Sequence, residues 1–204
     1  MSQALGRQLG SDRRVDDALV NAPLFHSLVE HLDDDERHVI LDLGPPQSGT
    51  VALFSHFRCR LDIADLAANL QGMQAVSEDE SRSETFAGLL PPAHPELADV
   101  ILCWDLLNYL DRPGMKALMS ELAKRGKPGT LVHALVVYSA RMMPVLPNRY
   151  VPVDDHNLRL VSNSKETQAA PRYSPEDLSL CMPDYRLERA MLLRNGMQEF
   201  LFRL

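Results

Sequence analysis

At 204 residues, 45% hydrophobic and 24% charged, the chain has the length and composition of one soluble domain with a sizeable core. A net charge of -7, with acidic runs at Asp33-Asp34-Asp35-Glu36 and Glu78-Asp79-Glu80, excludes nucleic acid and anionic membrane as main partners and leaves a small ligand or a protein partner. Cys59, Cys103 and Cys181 are scattered without a CxxC pair, so neither a disulfide framework nor a thiolate metal site is expected, and a cytoplasmic location fits.

Residues 1–12 lack an apolar stretch of signal-peptide length and read as a mobile tail ahead of one domain over 13–204. From Val15 to Leu32, apolar residues recur at three and four residue spacing, which predicts a helix. Val39 to Leu43 then forms a run typical of a parallel strand buried on both faces, and Gly44 breaks it. Val51, Phe54 and Phe57 are spaced for a short helix, and Leu61 to Leu66 reads as a second strand ending in acid at Asp65. Residues 67–97 give no clear pattern.

Asp99 to Trp104 is another buried strand. Met115, Leu118, Met119, Leu122 and Ala123 mark an amphipathic helix, with Asp111 or a neighbour as cap, Pro113 in the first turn and Gly126 beyond its end. Thr130 to Val137 is the next strand. The polar, proline-rich stretch 139–173 is an excursion with a hairpin around Tyr150 to Val161, and Ser174-Pro175-Glu176-Asp177 starts a short helix. In the last segment Asn195-Gly196 predicts a two-residue hairpin turn, with Met191 opposite Phe200 and Glu188 opposite Arg203. This order implies an α/β fold: a three-layer Rossmann-like sheet, mostly parallel, with a C-terminal antiparallel hairpin. Ligands bind such sheets at the carboxyl ends of the strands, where Gly44 and Trp104 fall.

Gly44-x-Pro46-x-x-Gly49 occupies the places of a dinucleotide GxGxxG, but Pro46 adds bulk and deletes an amide donor where a pyrophosphate would approach, which disfavours NAD and FAD. There is no Gly-Lys-Ser/Thr for a Walker loop and no GxSxG around Ser48 for a hydrolase elbow. Asp42 is suited to satisfying loop amides. The histidines are scattered. His26 and His31 are five apart and do not share a helix face, so no metal site is expected, and His133 reads as a hydrogen-bonded core residue.

Asp42-Leu43-Gly44 after a hydrophobic run, the acid at Asp65, the segment Ala98 to Pro113 and the Lys127-Pro128-Gly129-Thr130 turn together resemble the Rossmann-like S-adenosylmethionine-dependent methyltransferases, whose first motif reads D-x-G-x-G-x-G. The chain departs from that motif at Pro46 and Ser48. The resemblance implies S-adenosylmethionine as cofactor, held by Asp42, Gly44, Pro45, Gln47, Ser48, Asp65, Leu66 and Trp104, with Asp65 on the ribose hydroxyls. It implies Asp105, Asn108 and Tyr109 as catalytic candidates. Arg149, Tyr150, Arg172 and Tyr173 are candidates for holding an anionic acceptor. No Asn/Asp-Pro-Pro-Tyr run is present, which argues against methylation of base or amide nitrogens.

Each role has a structural counterpart: Asp65 as a solvated strand end, Trp104-Asp105 as packing plus a cap, the arginines as surface partners. Two functions are expected from the sequence. One is methyl transfer to a small molecule or protein; the other is a catalytically silent relative serving as a binding or regulatory partner.

Overall fold

A computed structural model describes residues 17–33, 35–70 and 79–204; the expected tail at 1–12 lies outside them. The first element is strand β1 (Asp17–Asn21), followed by helix α1 (Pro23–Val29), which corrects the single helix expected from Val15. Proline cannot sit inside a helix and biases the residue before it away from helical angles, so the helix can begin only at Pro23. Upstream the burial alternates instead, with Leu19 66% exposed and Val20 4% exposed, the period of a strand.

The sheet that organises the molecule has six strands in the order β10-β11-β5-β4-β2-β3. β2 (His38–Asp42), β3 (Cys59–Ile63), β4 (Ala98–Trp104) and β5 (Gly126–Val137) are parallel. β10 (Arg186–Leu192) and β11 (Met197–Arg203) form an antiparallel hairpin, and β11 lies antiparallel to β5. β3 is the outer parallel strand. Among the described residues no strand pairs beyond it, and the unreadable stretch before β4 carries helix α3 (Asp79–Leu89).

Strand side chains alternate between faces. Val39, Leu41, Ile101 and Val132 join one core with Met115, Leu118 and Leu122 of α4 (Arg112–Ala123), while Ile40, Val100, Leu102 and Leu135 join another with Leu24, Phe25 and Leu28 of α1. α2 (Ser48–Phe54) contributes Phe54 to the second core. The expected caps are present: Asp111 accepts from the Gly114 amide, and Ser174 with Asp177 forms a capping box on α5 (Pro175–Cys181).

The excursion after β5 forms β6 (Met142–Pro144), which pairs with β9 (Thr167–Ala169), and the hairpin of β7 (Arg149–Pro152) with β8 (Asn157–Val161), to which β1 adds a third strand. The C-terminal hairpin differs from expectation. Its loop has three residues, since the Leu193 amide donates to Met197 and only Gly196 takes a positive φ, +82°. With a further irregularity between Leu187 and Arg189, Met191 faces Glu199, one position from the predicted Phe200, and Arg203 faces Arg186, two positions from the predicted Glu188; Glu188 still ion-pairs with Arg203 at 2.7 Å.

Glu199 itself is fully buried. Its carboxyl oxygens accept from the amides of Leu24 (2.9 Å) and Phe25 (2.8 Å) at the start of α1 and lie 2.8 Å from His133 Nε2. Amides of a first helical turn have no partner within the helix, so this one side chain satisfies two of them and fixes α1 on the sheet.

Candidate functional site

The strand order reverses direction between β2 and β4, so their carboxyl ends open a crevice with Gly44 on one side and Trp104 on the other. Asp42 is buried at the end of β2, where Oδ1 accepts from the Gly44 amide (2.8 Å) and from Trp104 Nε1 (2.6 Å). Burial pushes its carboxyl up to about 6, partly opposed by those two hydrogen bonds and reinforced by the charge of nearby Asp65.

Trp104 has φ +50°, a left-handed conformation that costs a bulky residue energy and persists where surrounding packing enforces it. Its indole stacks on Tyr150 (centroids 5.9 Å, planes 6° apart) and meets Phe25 at 5.7 Å. It also lies directly on Gly44: a Cβ there would come within 2.8 Å of Trp104 Cδ1. The absence of a side chain at Gly44 thus admits an indole.

Asp105 follows in a short 3-10 turn and is also buried. Its Oδ2 accepts from the Asn148 amide (3.1 Å) and from Asn148 Nδ2 (2.9 Å), while Oδ1 has no hydrogen-bond partner of good geometry. Burial raises this carboxyl to about 7 against the pull of the Asn148 donors and of the Tyr150 hydroxyl. Asn108 gives both amide hydrogens to backbone, at Asp105 O and Leu135 O, and accepts from the Val137 amide, so it ties the turn to β5. The Tyr109 hydroxyl donates to Leu146 O at 2.9 Å, and burial pushes its pKa far up. Asp105 and Tyr109 therefore latch the segment Leu146–Asn148 over the strand ends.

The recess between Gly44, Pro45, Gln47, Trp104, Asp105 and Tyr150 is nearly filled, with about 10 Å³ of free space. That is at the lower limit for one water. Beside it, sharing Pro45, Ala67 and Pro147, opens a groove of about 600 Å³ lined also by Asp65, Leu70, Arg149 and Asn163. Asp65 stands just past β3 with φ +43°, half-buried in the groove wall. Arg149, which lines the same groove, has a buried Nε without a hydrogen-bond partner.

Of the residues singled out in the sequence, Ser48 is exposed at the start of α2 and Leu66 is wholly buried in the core, so neither lines the recess or the groove. Arg172 and Tyr173 do not line them either. Arg172 is exposed, and Tyr173 donates to Leu110 O and lies under the Arg112 guanidinium at 5.7 Å. The segment Leu146–Asn148, which covers the crevice, was not singled out; its only sequence signal is Pro147-Asn148 just ahead of Arg149-Tyr150.

No protein-family model matches the sequence, and no curated protein matches it significantly. Solved structures do match. A S-adenosylmethionine-dependent methyltransferase from Clostridium acetobutylicum ATCC 824 aligns at 14% identity with TM-score 0.51, over 91% of this chain and 92% of its own. The PH0226 protein from Pyrococcus horikoshii OT3 aligns at 11% identity with TM-score 0.51, over 89% and 87%. The pyocyanin biosynthetic protein PhzM aligns at 12% identity with TM-score 0.47 over 88% of this chain, which spans only 53% of that protein's length. Strand order and the likenesses to the Clostridium and Pyrococcus proteins together give the chain the Rossmann-like fold of the S-adenosylmethionine-dependent methyltransferases.

Proposed function

We propose that the chain binds S-adenosylmethionine along the groove beside Gly44 and transfers its methyl group to an anionic small-molecule or protein acceptor. The observation that carries this reading is the Asp65 carboxylate, standing in the wall of a 600 Å³ groove at the crevice where β2 and β4 diverge. A groove of that size matches the range of small-ligand sites, and a carboxylate at the end of the adjacent strand is the acceptor that a pair of ribose hydroxyls requires. The fold it shares with the Clostridium acetobutylicum enzyme, named as S-adenosylmethionine-dependent, supports the choice of cofactor.

For the ribose of that cofactor the groove offers the Asp65 carboxylate as it stands. For the amino-acid part, Trp104 and the Leu146–Asn148 segment have to shift, because they fill the space above Gly44. When bound, the cofactor supplies a sulfonium-activated methyl group. Asp65 holds the ribose, Pro45 and Pro147 exclude water from the groove, and the free Nε of Arg149 orients the acceptor's anionic group. Asp105, whose carboxyl sits at about 7, accepts the acceptor's proton at Oδ1 once Asn148 moves aside. Nucleic acid and membrane are not partners in this reading, and the location is cytoplasmic.

The indole over Gly44 favours a second reading, a catalytically silent protein in which Trp104 permanently replaces the cofactor's amino-acid end. Calorimetric titration with S-adenosylmethionine and S-adenosylhomocysteine separates the two. The first reading expects saturable binding to both ligands and a marked loss of affinity in Asp65→Ala. No heat with either ligand refutes it, and unchanged affinity in the variant removes Asp65 from the ribose.

A further inference from the structure

His26 of α1 meets Asp155 and His156 of the turn between β7 and β8. His26 Nδ1 lies 3.3 Å from Asp155 Oδ2, and His156 Nδ1 lies 2.7 Å from Asp155 Oδ1. One ligand atom from each residue falls within 4.8 Å of the others, and among the described residues this is the one such grouping of three. The two imidazoles stack at 3.5 Å with 23° between their planes.

We propose that His26, Asp155 and His156 form a binding site for a divalent transition ion of the zinc type, which clips α1 to the β7–β8 turn. Two imidazoles and a carboxylate are a donor set that zinc favours, and tetrahedral ligands at about 2.0 Å from the ion stand roughly 3.3 Å apart. The His26–Asp155 pair already has that spacing. Beyond that contact with Asp155, His26 Nδ1 is buried and makes no hydrogen bond of good geometry.

The opposite nitrogen carries a second, independent sign. His26 Nε2 faces Glu30 Oε1 at 3.4 Å, one turn along the helix. A carboxylate on the outer nitrogen of a histidine fixes its tautomer and turns the other nitrogen toward the ion. The turn is also built to hold its shape: Asp154 Oδ1 accepts from the amides of His156 (2.8 Å) and Asn157 (2.6 Å), and the Ala22 amide donates to His156 O (2.8 Å). Binding requires the His156 ring, half exposed, to swing out of its stack so that the two nitrogens converge.

The test is titration of the untagged, chelator-treated full chain with zinc chloride alone at neutral pH, followed by calorimetry and thermal unfolding. One equivalent should bind saturably and raise Tm. His26→Ala and His156→Ala should each weaken binding at least tenfold while keeping the metal-free unfolding transition. Glu30→Gln should weaken it by about 10- to 100-fold, the usual effect of losing an outer carboxylate. His94→Ala, at an exposed histidine elsewhere, should leave it unchanged. No saturable binding, or equal affinity in the His26→Ala/His156→Ala double variant, overturns the proposal.

Discussion

Lowering the pH from about 8 to about 5 should stabilise this protein, the reverse of ordinary acid destabilisation. Asp105 and Asp42 have carboxyls raised from 3.8 to about 7 and about 6. Such a group binds more protons folded than unfolded between its two pKa values. Its stabilising contribution is therefore complete in acid and is lost as pH climbs through that interval. Descending to about pH 5 recovers two pKa units at Asp105 and one at Asp42, at about 1.4 kcal/mol each. That amounts to about 3 kcal/mol and about 1 kcal/mol, about 4 kcal/mol together, as an order of magnitude. For a chain of this length each kcal/mol shifts Tm by roughly 2–4 °C, so the gain is roughly 8–16 °C. The surface acid Asp177, held down to about 2 by Arg112, titrates below this window and leaves it undisturbed. Urea unfolding at a series of pH values measures the slope, and Asp105→Asn should remove most of it while raising stability at pH 8. A stability that is flat or falls toward pH 5, or an Asp105→Asn variant with the full slope, would refute the assignment of buried, proton-binding carboxyls to the crevice.

Glu199→Ala leaves two helix-end amides and His133 without their buried partner and should cost about 3–5 kcal/mol in urea unfolding; a loss under about 1 kcal/mol would mean that α1 is anchored by packing alone. In Gly49→Ala the new Cβ would stand 2.4 Å from the Pro152 carbonyl oxygen, so the start of α2 must part from β7, at about 1–3 kcal/mol. Unchanged stability there would contradict that contact. Trp104→Ala should cost about 3–5 kcal/mol of packing yet tighten S-adenosylmethionine binding by uncovering Gly44. An affinity that is unchanged or lower would show that the indole does not close the cofactor's path.

The central strands were legible in the sequence because each is a short branched run bounded by a turn, and the α4 and α5 starts because their caps depend on residues a few positions apart. The first helix was misread where Ala18 and Leu19 fit two periods at once, and Pro23 was the signal that divided them. Next to the loop the hairpin register slipped by one because a three-residue loop and a two-residue loop share the same Asn-Gly letters; which forms depends on how β11 docks on β5.

At the site, the sequence by itself determined that Asp42, Gly44, Asp65, Trp104 and Asp105 stand at strand ends, since that follows from where hydrophobic runs stop. Only the tertiary structure decided what those positions face. The indole of Trp104 over Gly44, the latch from Asp105 to Asn148, the cap from Glu199 onto α1 and the meeting of His26 with His156 all join residues far apart in the chain. No local spacing encodes such pairs. They exist because burying both faces of one sheet brings distant segments together and forces their polar groups to find one another.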